Sequence, residues 1–160
     1  MDRYLDYEYI DENERAKNKS LIKKIKNIFP KSTSRVQNHT NTKINDDIYK
    51  ETLLNVGRYM NKSNEDISVR IEELEKEWDV ERILETNAAS VILSGIVLGS
   101  TVNKKWYVLS GVAAAFLLQH ALQGWCPPVP IIRKMRVRTP SEIHEEISCL
   151  KYLRGDFEHF

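Results

Sequence analysis

Five polar side chains, Glu85, Asn87, Gln119, His120 and Gln123, stand in a stretch of the chain otherwise dominated by apolar residues, and a cysteine, Cys126, follows them. A carboxylate beside an imidazole can share or pass a proton, and a thiol near basic residues can become a thiolate. Arg133 and Lys134 follow Cys126 closely enough to favour that thiolate, which could accept sulfur or an acyl chain. The commoner role for a lone cysteine is a small buried residue, and Cys149 reads as core on a terminal helix. One histidine and one glutamate fall short of the three or four ligands zinc uses, so no metal is expected. No glycine-rich phosphate loop, nucleophile triad or paired general acid and base is present. The chain therefore reads as carrying no catalytic residue and no cofactor, and as a protein other than an enzyme.

What brings the polar residues together is the arrangement of the apolar ones. Of 160 residues, 41% are hydrophobic and 29% charged, but the hydrophobic ones concentrate between Ile83 and Trp125. Residues 83–102 and 106–125 form two runs of about 20 residues, or ~30 Å of helix each, which matches a hydrocarbon core. Asn103, Lys104 and Lys105 separate them, so the fold expected is a helical hairpin, the form that keeps every backbone amide paired in lipid. In a hairpin turning near Lys104, Glu85 and Asn87 lie at the depth of Gln119, His120 and Gln123. Polar groups at that depth usually face the bundle interior and make a site candidate. The structural alternative is that they bond across the helices at about 0.6–2 kcal/mol each and fix the register, and their place near the span ends favours it. Gly95 and Gly99 form a GxxxG, and Gly111 with Ala113, Ala114 and Ala115 supplies small residues opposite. Such surfaces serve close helix packing, which leaves an internal contact and a homodimer equally open.

The flanks are polar and helical. Leu21, Ile22, Ile25, Ile28 and Phe29 oppose Lys23, Lys24 and Lys26 in a short amphipathic helix over 20–29, within a flexible polar and basic tail spanning 1–47. Residues 48–82 read as cytoplasmic helices. Ile67, Ile71, Leu74 and Trp78 make an apolar stripe, and with no Pro or Gly before Gly95 that helix is expected to run straight into the first span. The prolines at 127, 128 and 130 end the second span. In the segment 127–160, Thr139, Pro140 and Glu142 then open a helix over 140–154 through a capping box, and Gly155 closes it. Its stripe of Ile143, Ile147 and Leu150 is expected to pack on the Ile67–Trp78 helix.

Orientation follows from the basic residues. Arg70, Lys76, Arg82, Arg133, Lys134, Arg136 and Arg138 flank the hairpin, against Lys104 and Lys105 at its turn, which places both flanks and both termini in the cytoplasm. No secretory signal pattern begins the chain, and a net charge of +1 speaks against a nucleic-acid-coating protein.

The run Leu118–Pro130, LQHALQGWCPPVP, within a stretch from Arg70 to Phe157, resembles the YgaP-like transmembrane domain family; Asn55-Val56-Gly57-Arg58 is similar to that family's opening motif. The resemblance implies a small two-span protein of the bacterial inner membrane. Some relatives carry a sulfur-handling rhodanese domain, and no such module occurs in these 160 residues. The class expected is all-α: a two-span transmembrane hairpin, flanking cytoplasmic amphipathic helices and a disordered N-terminal tail. Its partners are then the lipid bilayer, a second copy through the GxxxG, and an unknown cytoplasmic protein, in an anchoring or interaction role. Two alternatives stand beside it: a sulfur-relay or small-solute accessory protein using Cys126 and the His120 layer, and a soluble helical protein that buries the hairpin as its core.

Overall fold

The computed structural model describes residues 31–157, which form helices and no strand. The class is all-α. The expected amphipathic helix 20–29 and most of the expected tail lie outside the described residues.

Helix α1 (Arg35–Asn38) and helix α2 (Thr42–Tyr59) occupy a region that composition assigned to a flexible linker up to Asp47. Two things order it. Val36 is buried against Val80, Leu84, Cys126, Val129 and Ile132, and the Asn41 side chain accepts from the Lys43 amide at 2.9 Å, capping α2. One well-placed valine and a cap succeed where average hydrophobicity argues for disorder.

Helix α3 (Asn64–Glu75) and helix α4 (Val80–Thr101) are separate, where a continuous helix was expected. Asp79 explains the break: its carboxylate accepts from the Arg82 amide at 2.8 Å, an N-cap bond that requires non-helical backbone at Asp79 itself. The Val80 amide, left over by the new helix start, donates to the Arg138 carbonyl at 2.9 Å. Trp78 consequently leaves the α3 stripe and is half exposed, with the Arg82 guanidinium 4.8 Å from its ring centre.

Helix α5 (Trp106–Gln123) returns antiparallel to α4 after a turn capped by Asn103, whose side chain accepts from the Lys105 amide at 2.9 Å. The two helices touch through the GxxxG. A Cβ on Gly95 would lie 2.3 Å from the Ser110 hydroxyl, and one on Gly99 would lie 2.8 Å from the Tyr107 ring. The Ser110 hydroxyl donates to the Ile92 carbonyl at 2.9 Å across the same seam. Gly95 and Gly99 thus serve the internal contact. Gly111, expected to join them, lies off the seam: a Cβ there would meet no atom of a neighbouring element within 4 Å.

Helix α6 (Val129–Lys134) and helix α7 (Pro140–Arg154) complete the fold. The capping box is present in both directions: Glu142 N donates to the Thr139 hydroxyl at 3.3 Å, and Thr139 N donates to the Glu142 carboxylate at 2.7 Å. Gly155 ends α7 with φ 88°. Ile143, Ile147 and Leu150 pack against Ile67, Ile71 and Leu74, as their spacing predicts. Cys149 is exposed instead of core, because the buried stripe passes through its neighbours Ile147 and Leu150.

Two regions result: a base of α1, α2, α3, α6 and α7 with its own core, and a hairpin rising from it. Among the described residues, one helical stretch, within Asn64–Thr101, is long and apolar enough to cross a membrane, and 17% of its apolar window is buried. Helix α5, the second expected span, does not reach that standard, with Gln119, His120 and Gln123 crowding its last two turns, so one apolar helix stands where sequence reading expects two spans.

Candidate functional site

The polar layer forms one turn lower than its spacing suggests. His120 is 2% exposed, and its Nε2 meets the Glu81 carboxylate at 2.8 Å. Neither Glu85 nor Asn87 reaches it. Glu85 is exposed, and the Asn87 side chain donates to the Ile83 carbonyl at 2.8 Å, a bond within its own helix. Gln123 is exposed and Gln119 half-buried, with no side-chain hydrogen bond between them and His120 among the described residues. The depth argument is right to about one helical turn, and one turn suffices to exchange Glu85 for Glu81.

Glu81 is shared with a residue from far along the chain. Arg35 donates from Nη2 to Glu81 at 2.9 Å and from Nη1 to the Ala121 carbonyl at 2.6 Å, so one guanidinium ties α1 to both legs of the hairpin. Gly124 permits the approach: its φ is 76°, and a Cβ there would lie 2.6 Å from Arg35 atoms. The hydrogen bond from His120, joined by that from Arg35, holds the Glu81 carboxyl below the usual carboxylate range in spite of its burial. The imidazole Nδ1 is buried and has no hydrogen-bond partner among the described residues. The arrangement is a clasp at the foot of the hairpin.

A second polar cluster, unforeseen from sequence, fills the base. Arg133 is fully buried and spends its donors on four partners. It grips Glu142 with two bonds, at 2.7 and 2.8 Å, and reaches Asn45 at 2.8 Å, Thr40 at 3.2 Å and the Val137 carbonyl at 2.9 Å. Fork geometry of this kind is the strong form of the Arg–carboxylate bond. Beside it, Glu146 is fully buried between Arg138 and Arg70, while Arg138 also grips Glu77 and Arg70 also pairs with Glu73 at 3.1 Å. The Arg133, Arg138 and Arg70 side chains, which sequence reading counts as topology-setting surface charges, are interior structural cations. Their signals were present in the acidic residues Glu142 and Glu146 on α7 and Glu77 after α3, but nothing in local spacing says which cation each one meets.

Cys126 is 4% exposed in the Val36 cluster, and burial pushes its thiol above the ordinary value. Arg133, one of the two cations expected to activate it beside Lys134, is taken by Glu142. The candidate thiol is thus placed as a small packed residue. Among the described residues, no three His, Cys, Asp or Glu side chains gather as a metal site would require.

No family model, curated protein or solved structure matches the chain. The likeness to YgaP-like proteins accordingly has no support beyond the residues from Leu118 to Pro130 that carry it.

Proposed function

We propose that this chain is a membrane anchor: α4 and α5 cross the bilayer as a two-span hairpin, and the base stands on the cytoplasmic leaflet as a docking module for a protein partner. The single observation behind this reading is an uncovered apolar sleeve. Leu93, Ile96, Val97, Val108, Leu109, Val112, Phe116, Leu118 and Leu122 are all exposed by two fifths or more, on both helices. A monomer in water rarely exposes contiguous apolar surface beyond a few hundred Å². Lipid tails cover such a sleeve at no cost in unpaired backbone, since the helices pair their own amides. The Lys104–Lys105 turn lies outside the leaflet opposite the base, and Trp106 and Tyr107 sit at that interface.

The role is one of anchoring rather than catalysis. Arg35, Arg70, Arg133 and Arg138 are each paired with a carboxylate, and burial pushes the Cys126 thiol above its ordinary value. The resemblance to YgaP-like proteins suggests a bacterial inner membrane as the location. Carbonate washing of isolated membranes tests the reading: the chain stays in the pellet if the spans are real. Release into the supernatant would favour a soluble protein whose hairpin is covered by another subunit.

A further inference from the structure

Five arginines at the base differ from a nearby trio of cations in how they are paired. Arg35, Arg70, Arg133, Arg138 and Arg154 are each held at 3.1 Å or closer to a carboxylate. Lys43, Lys134 and Arg136 instead converge on an open depression of about 370 Å³ between α2 and α6, which Asp47 also lines. Arg136 is 60% exposed, only loosely paired at 3.6 Å with Glu51 and 3.9 Å with Asp47. Its φ of 61° makes it the one residue other than glycine with a left-handed backbone among those described. That conformation closes α6, the Val137 amide donating back to the Ile132 carbonyl at 3.4 Å, and it fixes where the Arg136 side chain leaves the helix end.

The position of this cluster decides which ligand. Helix α6 rests on the foot of α4: Val129 and Ile132 pack on Val80 and Leu84, with Ile83 and Val137 against the same cluster. Ile83 opens the first proposed span, so α6 lies at the depth where hydrocarbon gives way to headgroups. Its outer face carries Ile131, 65% exposed, and Met135, 72% exposed, four residues apart and next to Lys134 and Arg136. An apolar pair flanked by cations at that depth has the form of an interfacial helix.

We propose that the α6 edge binds the headgroup of an anionic phospholipid, with Lys43, Lys134 and Arg136 around the phosphate and Ile131 and Met135 in the acyl boundary. The site rests on the two-span reading and adds to it a lipid preference. Asp47 and Glu51 stand beside Arg136 at 3.9 and 3.6 Å, two carboxylates against three cations, which leaves the depression with a net positive charge.

The test is lipid retention by the full chain released from detergent micelles in native mass spectrometry, with phosphatidylglycerol or phosphatidylcholine added. The chain should retain phosphatidylglycerol in preference to phosphatidylcholine. Removing one surface cation costs about fivefold in affinity, so Lys134→Gln should lower phosphatidylglycerol retention by about that factor, and Lys43→Gln/Lys134→Gln/Arg136→Gln by more. A control of equal charge, Lys62→Gln/Lys76→Gln/Lys151→Gln, should leave retention unchanged. Equal retention of the two lipids, or equal loss in the control, overturns the site. Displacement of bound phosphatidylglycerol by soluble glycerol phosphate overturns the lipid assignment in favour of a free-anion site. Carbonate washing separates this from the span reading: a membrane-retained chain without lipid preference refutes the headgroup site alone, and a released chain refutes both.

Discussion

The base and the hairpin reverse the usual distribution of polarity. The base keeps Arg133 and Glu146 fully buried, whereas the hairpin leaves Leu93, Val97 and Val108 more than half exposed. In water, a charge is hidden only at a cost of several kcal/mol that its partners must offset, and an apolar face is hidden at a gain. On the proposed anchoring reading, two adjoining regions that do the opposite answer to two solvents, water for the base and lipid for the hairpin. The base meets its cost by pairing each buried cation with a carboxylate. The hairpin avoids any such cost by carrying no charge between Glu85 and Lys104.

The contrast predicts opposite responses to substitution. The largest effect belongs to the base: Arg133→Met leaves Glu142 and Asn45 without their donor and should destabilise the folded chain by about 3–5 kcal/mol. Thermal unfolding in detergent would show it, and Arg133→Met/Glu142→Leu should recover part of the loss, because the unpaired carboxylate goes while the capping bond it accepts from Thr139 N is also given up. Recovery failing would mean that the arginine acts through more than its carboxylate.

In the hairpin the sensitive change is the introduction of charge. Val97→Lys should cost about 2.5–3.5 kcal/mol for insertion if that surface meets lipid, but no more than about 0.5 kcal/mol if it meets water, as for an ordinary surface site. The fraction of chain recovered in membranes reads the difference. At the seam, Gly95→Ala forces its new methyl group against Ser110 and should cost about 1–3 kcal/mol, while Gly111→Ala, with open space around it, should be close to neutral or mildly stabilising.

The smallest expected effect joins the two regions. Glu81 has a folded-state pKa below its unfolded value, so its contribution to stability is present above the ordinary carboxylate pKa and is lost as pH falls through the lowered one. Unfolding followed from pH 6 to pH 3 should therefore show a weaker loss in Glu81→Gln than in the parent chain, and equal losses would contradict the clasp.

How much of this was legible depends on sequence distance. Helix α7 was readable to the residue, because Thr139, Glu142 and Gly155 act within one turn of the ends they cap. The packing of Ile143, Ile147 and Leu150 on α3 was readable because both stripes repeat at helical spacing. The break at Asp79 was missed because a capping aspartate has no effect on hydrophobic periodicity and no Pro or Gly marks it. Arg35 and Arg133 were missed for a deeper reason: Glu81 lies 46 residues from Arg35, and beyond Glu142 the Arg133 guanidinium reaches Thr40, 93 residues away. A distance of that kind is fixed by how helices pack, and composition assigned the Arg35 region to disorder. His120 stood between these cases, chosen correctly as a polar residue needing a partner but given one a turn away.

Solvent accessibility of the sleeve itself tests the central claim most directly. In isolated membranes, cysteines introduced singly at Val97, Val108 and Val112 in a chain carrying Cys126→Ala and Cys149→Ser should resist a charged maleimide, while Cys149 restored to that background reacts at once. Sleeve cysteines that label as fast as Cys149 would mean that water surrounds α4 and α5, and the two-solvent account would be wrong.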